Sequence, residues 1–241
     1  NMVLSNEEFN SVGKTPIRHD GADKVTGRAK YGADTKLAGM LYGKILRSPH
    51  AHAVIKSVDA SAAEALPGVY AVVTSADWPE TSMKLTDLAE GSIHNLGFLS
   101  MNVLARGKAL FKGHPVAAVA AVSPHVAEQA MALIKVDYDV LKPVLTAEDA
   151  MKPDAPILHD RLAAVSSPAL RPGGLLEDDA ESMQTNISNK FEFNLGDVEQ
   201  GFKDADIIVE KETTTQAVHQ GYIEPQAGVA HWQSDGNVTV W

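Results

Sequence analysis

Residues 116–141, VAAVAAVSPHVAEQAMALIKVDYDVL, contain a complete strand–helix–strand pattern and decide the fold class of the chain. The continuous apolar run over 116–122 is typical of a buried strand. Ser123 is the predicted N-cap of the next helix, and Pro124 occupies its first position, where a missing N–H costs nothing. Apolar residues at helical spacing then form one stripe, and residues 136–141 predict a second strand.

The same alternation occurs earlier in the chain, without sequence similarity that would indicate a repeat. Strand–helix–strand order of this kind suggests helices packed on a mixed sheet. The predicted elements are strands over 40–46, 53–58 and 69–74, and a helix over 60–66 with Asp59 as its N-cap.

Two stretches lack sustained periodicity. Residues 75–112 read as a long connection with some local structure, and residues 152–186 are rich in proline, glycine and acidic side chains. The second composition is typical of a linker or surface excursion.

The chain then ends on an apolar strand, as expected of a domain that continues elsewhere. The elements predicted after the excursion are strands over 191–195, 205–214, 227–232 and 238–241, a helix over 196–202 and a hairpin turn over 234–237.

Composition excludes several classes of function. The chain has 241 residues, 44% of them apolar, and a net charge of −10, which argues against nucleic-acid binding. No apolar run is long enough to span a membrane, and no signal peptide is visible, so neither membrane nor nucleic acid is an expected partner. The absence of cysteine excludes disulfides and an iron–sulfur cluster held by this chain alone, and it fits a cytoplasmic protein.

Short motifs give weak signals when taken singly. Gly13-Lys14-Thr15 resembles the end of a phosphate-binding loop, but Glu8 stands where that loop needs glycine. His50 and His52 lie one residue apart, so on a strand they face opposite sides, and polar residues at a strand turn are favoured over metal ligands. No Gly-x-Ser-x-Gly motif indicates acyl transfer. Residues 219–225, HQGYIEP, concentrate functional side chains, although a loop whose His and Glu cap backbone groups remains open as an alternative.

Taken in order, several segments resemble one known family, the xanthine dehydrogenase and aldehyde oxidase family of molybdenum hydroxylases. The resemblance is to the molybdopterin-binding large subunit and covers residues from about 12 to 241. The matching segments are DGADKVTGRAKY (20–31), GMLY (39–42), RSPHAHA (47–53), LPGV (66–69) with VVT (72–74), GHPVA (113–117), VDY (136–138), GDV (196–198) and IEP (223–225).

The resemblance implies an α+β fold. An α/β hammerhead domain is expected over residues 17–150, after an N-terminal lead-in over 1–16. The excursion over 151–186 is then followed by residues 187–241, the beginning of the first molybdopterin-binding domain, which is built on a mixed sheet.

The resemblance also implies a function. The family hydroxylates aldehydes or N-heterocycles, with water as the oxygen source, on a molybdenum ion carried by a pterin dithiolene. Electrons leave through iron–sulfur and flavin subunits or domains, which lie outside this cysteine-free chain. The expected partners are therefore those groups, the remainder of the molybdopterin-binding subunit and a small-molecule substrate. The chain alone is expected to be inactive and to bind no cofactor.

The implied site residues are His219, Gln220 and Glu224, near the molybdenum pocket. The resemblance assigns no catalytic residue and no metal ligand to this chain. One position departs from the family pattern: several members have a glutamine six residues before the glutamate, where this chain has Val218. Gln216 and Gln220 flank that position.

A different class of function remains as the alternative. The chain could be a stand-alone structural or assembly module that kept the hammerhead fold and lost catalysis. Such a module would have no reason to retain the HQGYIEP run at 219–225.

Overall fold

The computed structural model describes residues 10–81, 85–87, 93–159, 165–166, 186, 189–190, 195–223 and 225–241. The chain divides into two compact units, one over Gly39–Glu210 and one that combines the residues up to Ala38 with Lys211–Trp241. The strands are β1 (Tyr42–Arg47), β2 (Ala53–Asp59), β3 (Val69–Thr74), β4 (Leu85–Asp87), β5 (Ile93–Asn95), β6 (Lys108–Ala109), β7 (Pro115–Ala121), β8 (Lys135–Val140), β9 (Val165–Ser166), β10 (Asn189–Lys190), β11 (Ala230–Trp232) and β12 (Val238–Val240). The helices are α1 (Gly21–Val25), α2 (Ser61–Glu64), α3 (Leu96–Val103), α4 (Pro124–Leu133), α5 (Ala147–Ala150) and α6 (Val198–Asp204).

Two three-stranded sheets form the body of the larger unit. Their orders are β1-β7-β3 and β6-β2-β8, and every pairing within them is antiparallel. Strand β7 is central, and its small apolar side chains are largely buried on both faces, as its sequence predicts. Helices pack on sheets, as predicted. However, neither of these two sheets combines parallel with antiparallel strand pairs, which a mixed sheet requires. The described parallel pair is β9 with β10.

Helix α4 forms as the sequence predicts. The Ser123 Oγ accepts a hydrogen bond from the Val126 N–H at 3.2 Å, and Pro124 lies in the first turn. Ala127 and Ala130 are fully buried and belong to one apolar cluster with α2 and β7. Small side chains at these positions let the helix approach the sheet closely. The cluster consists of Ala63, Ala117, Val119, Ala121, Ala127, Ala130 and Ile134.

Helix α2 is shorter than the predicted 60–66. Its N-cap position is Ala60, one residue later than expected. Asp59 still fixes the helix start, because its carboxylate accepts from the Ser61 N–H at 3.1 Å and from the Ser61 hydroxyl at 2.6 Å. Gly68 ends the turn with a φ of +93°, a conformation that disfavours side chains.

The predicted strand over 205–214 is wrong. These residues are exposed and have no regular secondary structure. Ile207, Ile208 and Val209 have strand propensity, but none of them is paired with another described strand, and propensity without a paired, half-buried surface does not make a strand. Most of the strand predicted over 191–195 lies outside the described residues.

The start of the predicted excursion, residues 151–159, is tied to the larger unit. The Lys108 ammonium donates to the carbonyls of Ile157 at 3.3 Å and Leu158 at 3.2 Å. The Asn186 carboxamide accepts from the Leu158 N–H at 2.9 Å and donates to the carbonyls of Ala150 and Pro156. Residues 160–164, 167–185 and 187–188 lie outside the described part, so the excursion itself stays a prediction.

The smaller unit contains α1, a 3-10 turn over Gly32–Asp34 and the antiparallel hairpin of β11 and β12. The hairpin turn lies where the sequence predicts it. Gly236 has a φ of +89°, and the Asp235 carboxylate accepts from the Asn237 N–H at 3.0 Å. In the described part of the chain, no helix is both long and apolar enough to cross a bilayer.

The close packing of α4 gives a direct test. Replacing Ala130 by leucine adds volume to a position without free space, so it should lower the free energy of unfolding by about 1–3 kcal/mol. Ala132 lies on the exposed face of the same helix, and the same substitution there should change stability by less than about 0.5 kcal/mol. Urea unfolding of both variants measures the difference, and equal effects would contradict the packing described.

Candidate functional site

Residues 215–223 and 225–228 are exposed and have no regular secondary structure, and they lead into β11. His219 and Gln220 lie on it, both exposed. The Gly221 N–H donates to the His219 Nδ1 at 3.2 Å, and Gly221 has a φ of +65°, which allows this tight return. Because Nδ1 accepts, the neutral imidazole carries its proton on Nε2 and can donate from there.

The His219 ring is held on its other side by an aromatic neighbour. The Tyr222 ring meets it edge to face, with centroids 5.6 Å apart and planes at 90°. This arrangement restrains the imidazole from within the loop. The alternative interpretation of this loop is that its histidine only caps a local backbone group. His219 does make one contact of that kind, with the Gly221 N–H.

The loop borders a shallow cavity of about 500 Å³. Its walls combine an aromatic ring, aliphatic side chains and one carboxamide, a mixture suited to an uncharged organic ligand. The lining residues are Tyr222, Ile223, Pro225, Gln226 and Ala227. Glu224, the third residue of the predicted site, lies outside the described residues.

The loop does not offer a set of metal ligands. Across the described ranges, no group of three or more His, Cys, Asp or Glu side chains is arranged to hold a metal ion. His219 and Gln220 provide hydrogen-bonding groups instead. Such residues fit a metal that arrives on an organic carrier, because the carrier supplies the ligands and the protein supplies the surroundings.

His50 and His52 have structural roles at the turn between β1 and β2. His52 is buried, and its Nδ1 lies 2.9 Å from the Lys142 carbonyl, to which it donates, while Nε2 has no hydrogen-bond partner among the described residues. The His50 ring packs edge to face on Tyr138, with centroids 5.1 Å apart. These are the contacts of polar residues at a strand turn, the interpretation that the sequence favours.

His114 is fully buried next to the same turn. Its Nδ1 accepts from the Leu110 N–H at 3.2 Å, its Nε2 lies 3.0 Å from the Met101 carbonyl, and the Phe111 ring stacks on it. The Ser48 N–H donates to the His114 carbonyl at 2.9 Å. Burial lowers the pKa of His114, against a smaller opposing effect of the Met101 carbonyl. The neutral imidazole therefore connects the backbone at Leu110 with that at Met101, and the His114 carbonyl connects this segment to Ser48.

Two family models match the chain in sequence order. Residues 26–142 match the aldehyde oxidase and xanthine dehydrogenase a/b hammerhead domain. Residues 180–241 match the molybdopterin cofactor-binding domain.

The chain belongs to the aldehyde oxidase and xanthine dehydrogenase family. The predicted membership is thereby confirmed, and so is the α+β class with a hammerhead domain. The exact limits predicted for the domains, 17–150 and 187–241, stay predictions.

The similar proteins include dehydrogenases. A probable xanthine dehydrogenase subunit of Bacillus subtilis (strain 168) is 34% identical over 93% of this chain and 26% of its own length. The carbon monoxide dehydrogenase large chain of Afipia carboxidovorans is 33% identical over 98% of the chain and 27% of its own length. The chain thus spans about a quarter of the length of these curated relatives.

Solved structures agree with the fold. A reconstituted CO dehydrogenase from Oligotropha carboxidovorans superposes with a TM-score of 0.72 at 32% identity, covering 95% of this chain and 27% of that chain. Quinoline 2-oxidoreductase from Pseudomonas putida 86 gives a TM-score of 0.52 at 40% identity, covering 65% and 20% of the two chains.

The sequence predicts the loop as the candidate site but gives no sign of two features of its setting. The contact between His219 and Tyr222 is local, and aromatic spacing within the loop could have suggested it. The Gly32–Asp34 turn belongs to the same unit as the loop, although almost 190 residues separate them in sequence. No periodicity signals a contact between segments so far apart.

The burial of His114 predicts a pH dependence of stability. Its folded pKa lies below the unfolded value of about 6.5, so the unfolded state binds more protons as pH falls. The stabilisation is complete above about pH 6.5 and is lost towards the folded pKa, by up to about 1.4 kcal/mol per pH unit. Urea unfolding between pH 7.5 and 5 measures the slope.

Two variants isolate this contribution. His114→Gln should be less stable at pH 7.5 and should lose less on acidification than the unmodified chain. His125→Gln changes an exposed residue of α4 and should keep the original slope. An unchanged slope in His114→Gln would show that another group causes the pH dependence.

Proposed function

We propose that this chain is the N-terminal portion of the large subunit of a molybdenum hydroxylase. The observation that carries the proposal is the order of two matched domains, a hammerhead followed by a molybdopterin cofactor-binding domain. Relatives about four times as long support a role as part of a larger subunit. The activity belongs to the complete enzyme, and the isolated chain is inactive.

The substrate class in this proposal is an aldehyde or an N-heterocycle, hydroxylated with water as the oxygen source. Relatives named for xanthine and nicotinate support the heterocycle class. One relative is named for a different small molecule, carbon monoxide, which this proposal does not include.

When bound, the molybdenum–pterin group supplies the oxygen-transfer and electron-accepting chemistry. The residues of this chain would orient the bound group and place polar side chains around it. With the group bound, the Nε2–H of His219 and the carboxamide of Gln220 would be available as hydrogen-bond donors to it, and Glu224 completes the set of site residues in this proposal. Donors held in place before the reaction stabilise negative charge that develops in the transition state.

Electron transfer needs further groups. Iron–sulfur clusters are held by cysteine thiolates, and this chain has no cysteine. We therefore assign those clusters, and flavin, to other subunits or domains of the complex. The same lack of cysteine supports a cytoplasmic location.

Metal analysis tests the proposal. The 241-residue chain, purified alone, should contain no stoichiometric molybdenum. The complete large subunit, produced together with its redox partners in a host that makes the pterin cofactor, should contain about one molybdenum per subunit. A complete subunit without molybdenum would favour the stand-alone module without catalysis, and molybdenum on the short chain would overturn its predicted inability to bind cofactor.

Substitutions in the loop test the site. In the molybdenum-loaded enzyme, Gln220→Ala and His219→Ala should each lower kcat/KM by about 10- to 100-fold, because they remove hydrogen bonds around the cofactor. His231→Ala, on the exposed strand β11, is the matched control and should leave activity unchanged. Equal activity of all three variants would remove His219 and Gln220 from the site.

A further inference from the structure

Gly32 begins a 3-10 turn that lies unusually close to backbone atoms of the C-terminal hairpin segment. The turn is locked by the Asp34 carboxylate, which accepts from the Tyr31 N–H at 3.1 Å, and by the Asp34 N–H, which donates to the Tyr31 carbonyl. A Cβ placed on Gly32 would lie 3.0 Å from the Ala227 carbonyl oxygen and 3.3 Å from that of Trp241. Both oxygens would have to shift by a few tenths of an ångström.

Neither oxygen belongs to a flexible side chain that could turn away. The Trp241 carbonyl accepts from the Val229 N–H at 3.0 Å, and the Trp241 N–H donates to the Val229 carbonyl at 2.9 Å. This reciprocal pair extends the β11–β12 ladder by one step. A side chain on Gly32 would therefore push directly against hydrogen-bonded backbone.

The contact reaches the candidate loop through Ala227. The Ala227 carbonyl oxygen is the atom nearest to a Cβ placed on Gly32, and Ala227 is also the last of the residues that line the cavity beginning at Tyr222. Pro225 and Gln226 directly precede Ala227 and line the same cavity, so a displacement at Ala227 moves this part of the wall. Gly32 thus supports the cavity wall at Ala227, the end of the loop that is farther from Gln220 in the sequence.

Space, and not backbone conformation, requires glycine here. Gly32 is not among the glycines with positive φ, so other residues could adopt its backbone geometry. Gly201 in α6 also lacks a positive φ and would meet no atom within 4 Å on gaining a Cβ. The two positions differ in crowding and form a matched pair.

We propose that Gly32 is a positioning residue for the cofactor-binding loop over 219–227, which makes the N-terminal segment around residues 31–34 a working part of the cofactor-binding unit. The functional part of this inference rests on the proposed function. Residue 32 lies inside the range that matches the hammerhead domain, yet its close contacts are with residues 227 and 241.

Hydrogen exchange on the 241-residue chain tests the contact without any cofactor. Gly32→Val should raise exchange of the Val229 and Trp241 amides at least tenfold, and Gly32→Ala should raise it to a smaller extent. Amides of β7 and α4 should exchange as in the unmodified chain, and Gly201→Ala should change nothing in residues 222–241. Unchanged exchange at Val229 and Trp241 in Gly32→Val would overturn the proposal.

If Gly32→Val unfolds the whole chain, exchange of the Val229 and Trp241 amides in Gly32→Ala decides between the two outcomes.

A positioning role also predicts a kinetic signature in the complete enzyme. Gly32→Ala should lower kcat per bound molybdenum at least threefold and leave the thermal midpoint of the hammerhead unit unchanged. A lowered midpoint with normal kcat would mean a structural role alone. Altered exchange in a complete enzyme that holds no molybdenum would leave the contact standing and overturn only the proposed function.

Discussion

The packing of α4 on the β1-β7-β3 sheet is the interaction on which the larger unit depends. Alanines fill the contact from both sides, so the helix axis lies close to the sheet and the buried area is shared among many small groups. Apolar burial stabilises in proportion to area, and small groups contribute little each. A core of this kind depends on fit more than on bulk, and added volume has no space to enter.

The candidate loop depends on a different kind of interaction. Its residues are exposed, so apolar burial cannot fix its conformation. Local contacts do so in part: the hydrogen bond from Gly221 to His219, and the Tyr222 ring against the imidazole. Exposed interactions of this strength contribute about 1 kcal/mol or less each. In the role proposed for it, the loop needs outside support, which our proposal assigns to the crowded contact at Gly32 within the same unit.

Sequence patterns predicted what local physics decides. Helix α4 was predictable because its signals lie a few residues apart in the sequence: the Ser123 cap, Pro124 at the start and the apolar stripe. The helix occurs at the predicted position. The family resemblance, carried by ordered segments, identified the hammerhead domain. The strand over 205–214 failed because strand formation needs a partner, and isoleucine and valine propensity says nothing about whether one is present. The assignment of His219 and Gln220 to the site rests on the resemblance and stays a prediction, since nothing in their spacing alone indicates chemistry.

Gly32 illustrates why the long-range contacts around the candidate loop could not be predicted from the sequence. A glycine followed by alanine and aspartate looks like an ordinary turn, and its neighbours in sequence assign it to the hammerhead signature. Its requirement for a hydrogen side chain comes from two carbonyl oxygens about 200 residues away, at positions 227 and 241. Close approach of one backbone to another leaves no periodic mark in the sequence, because it constrains one position on each side. The same reasoning separates Gly32 from Gly201, which occupies open space on α6: identical residue types carry different constraints, and only the fold distinguishes them.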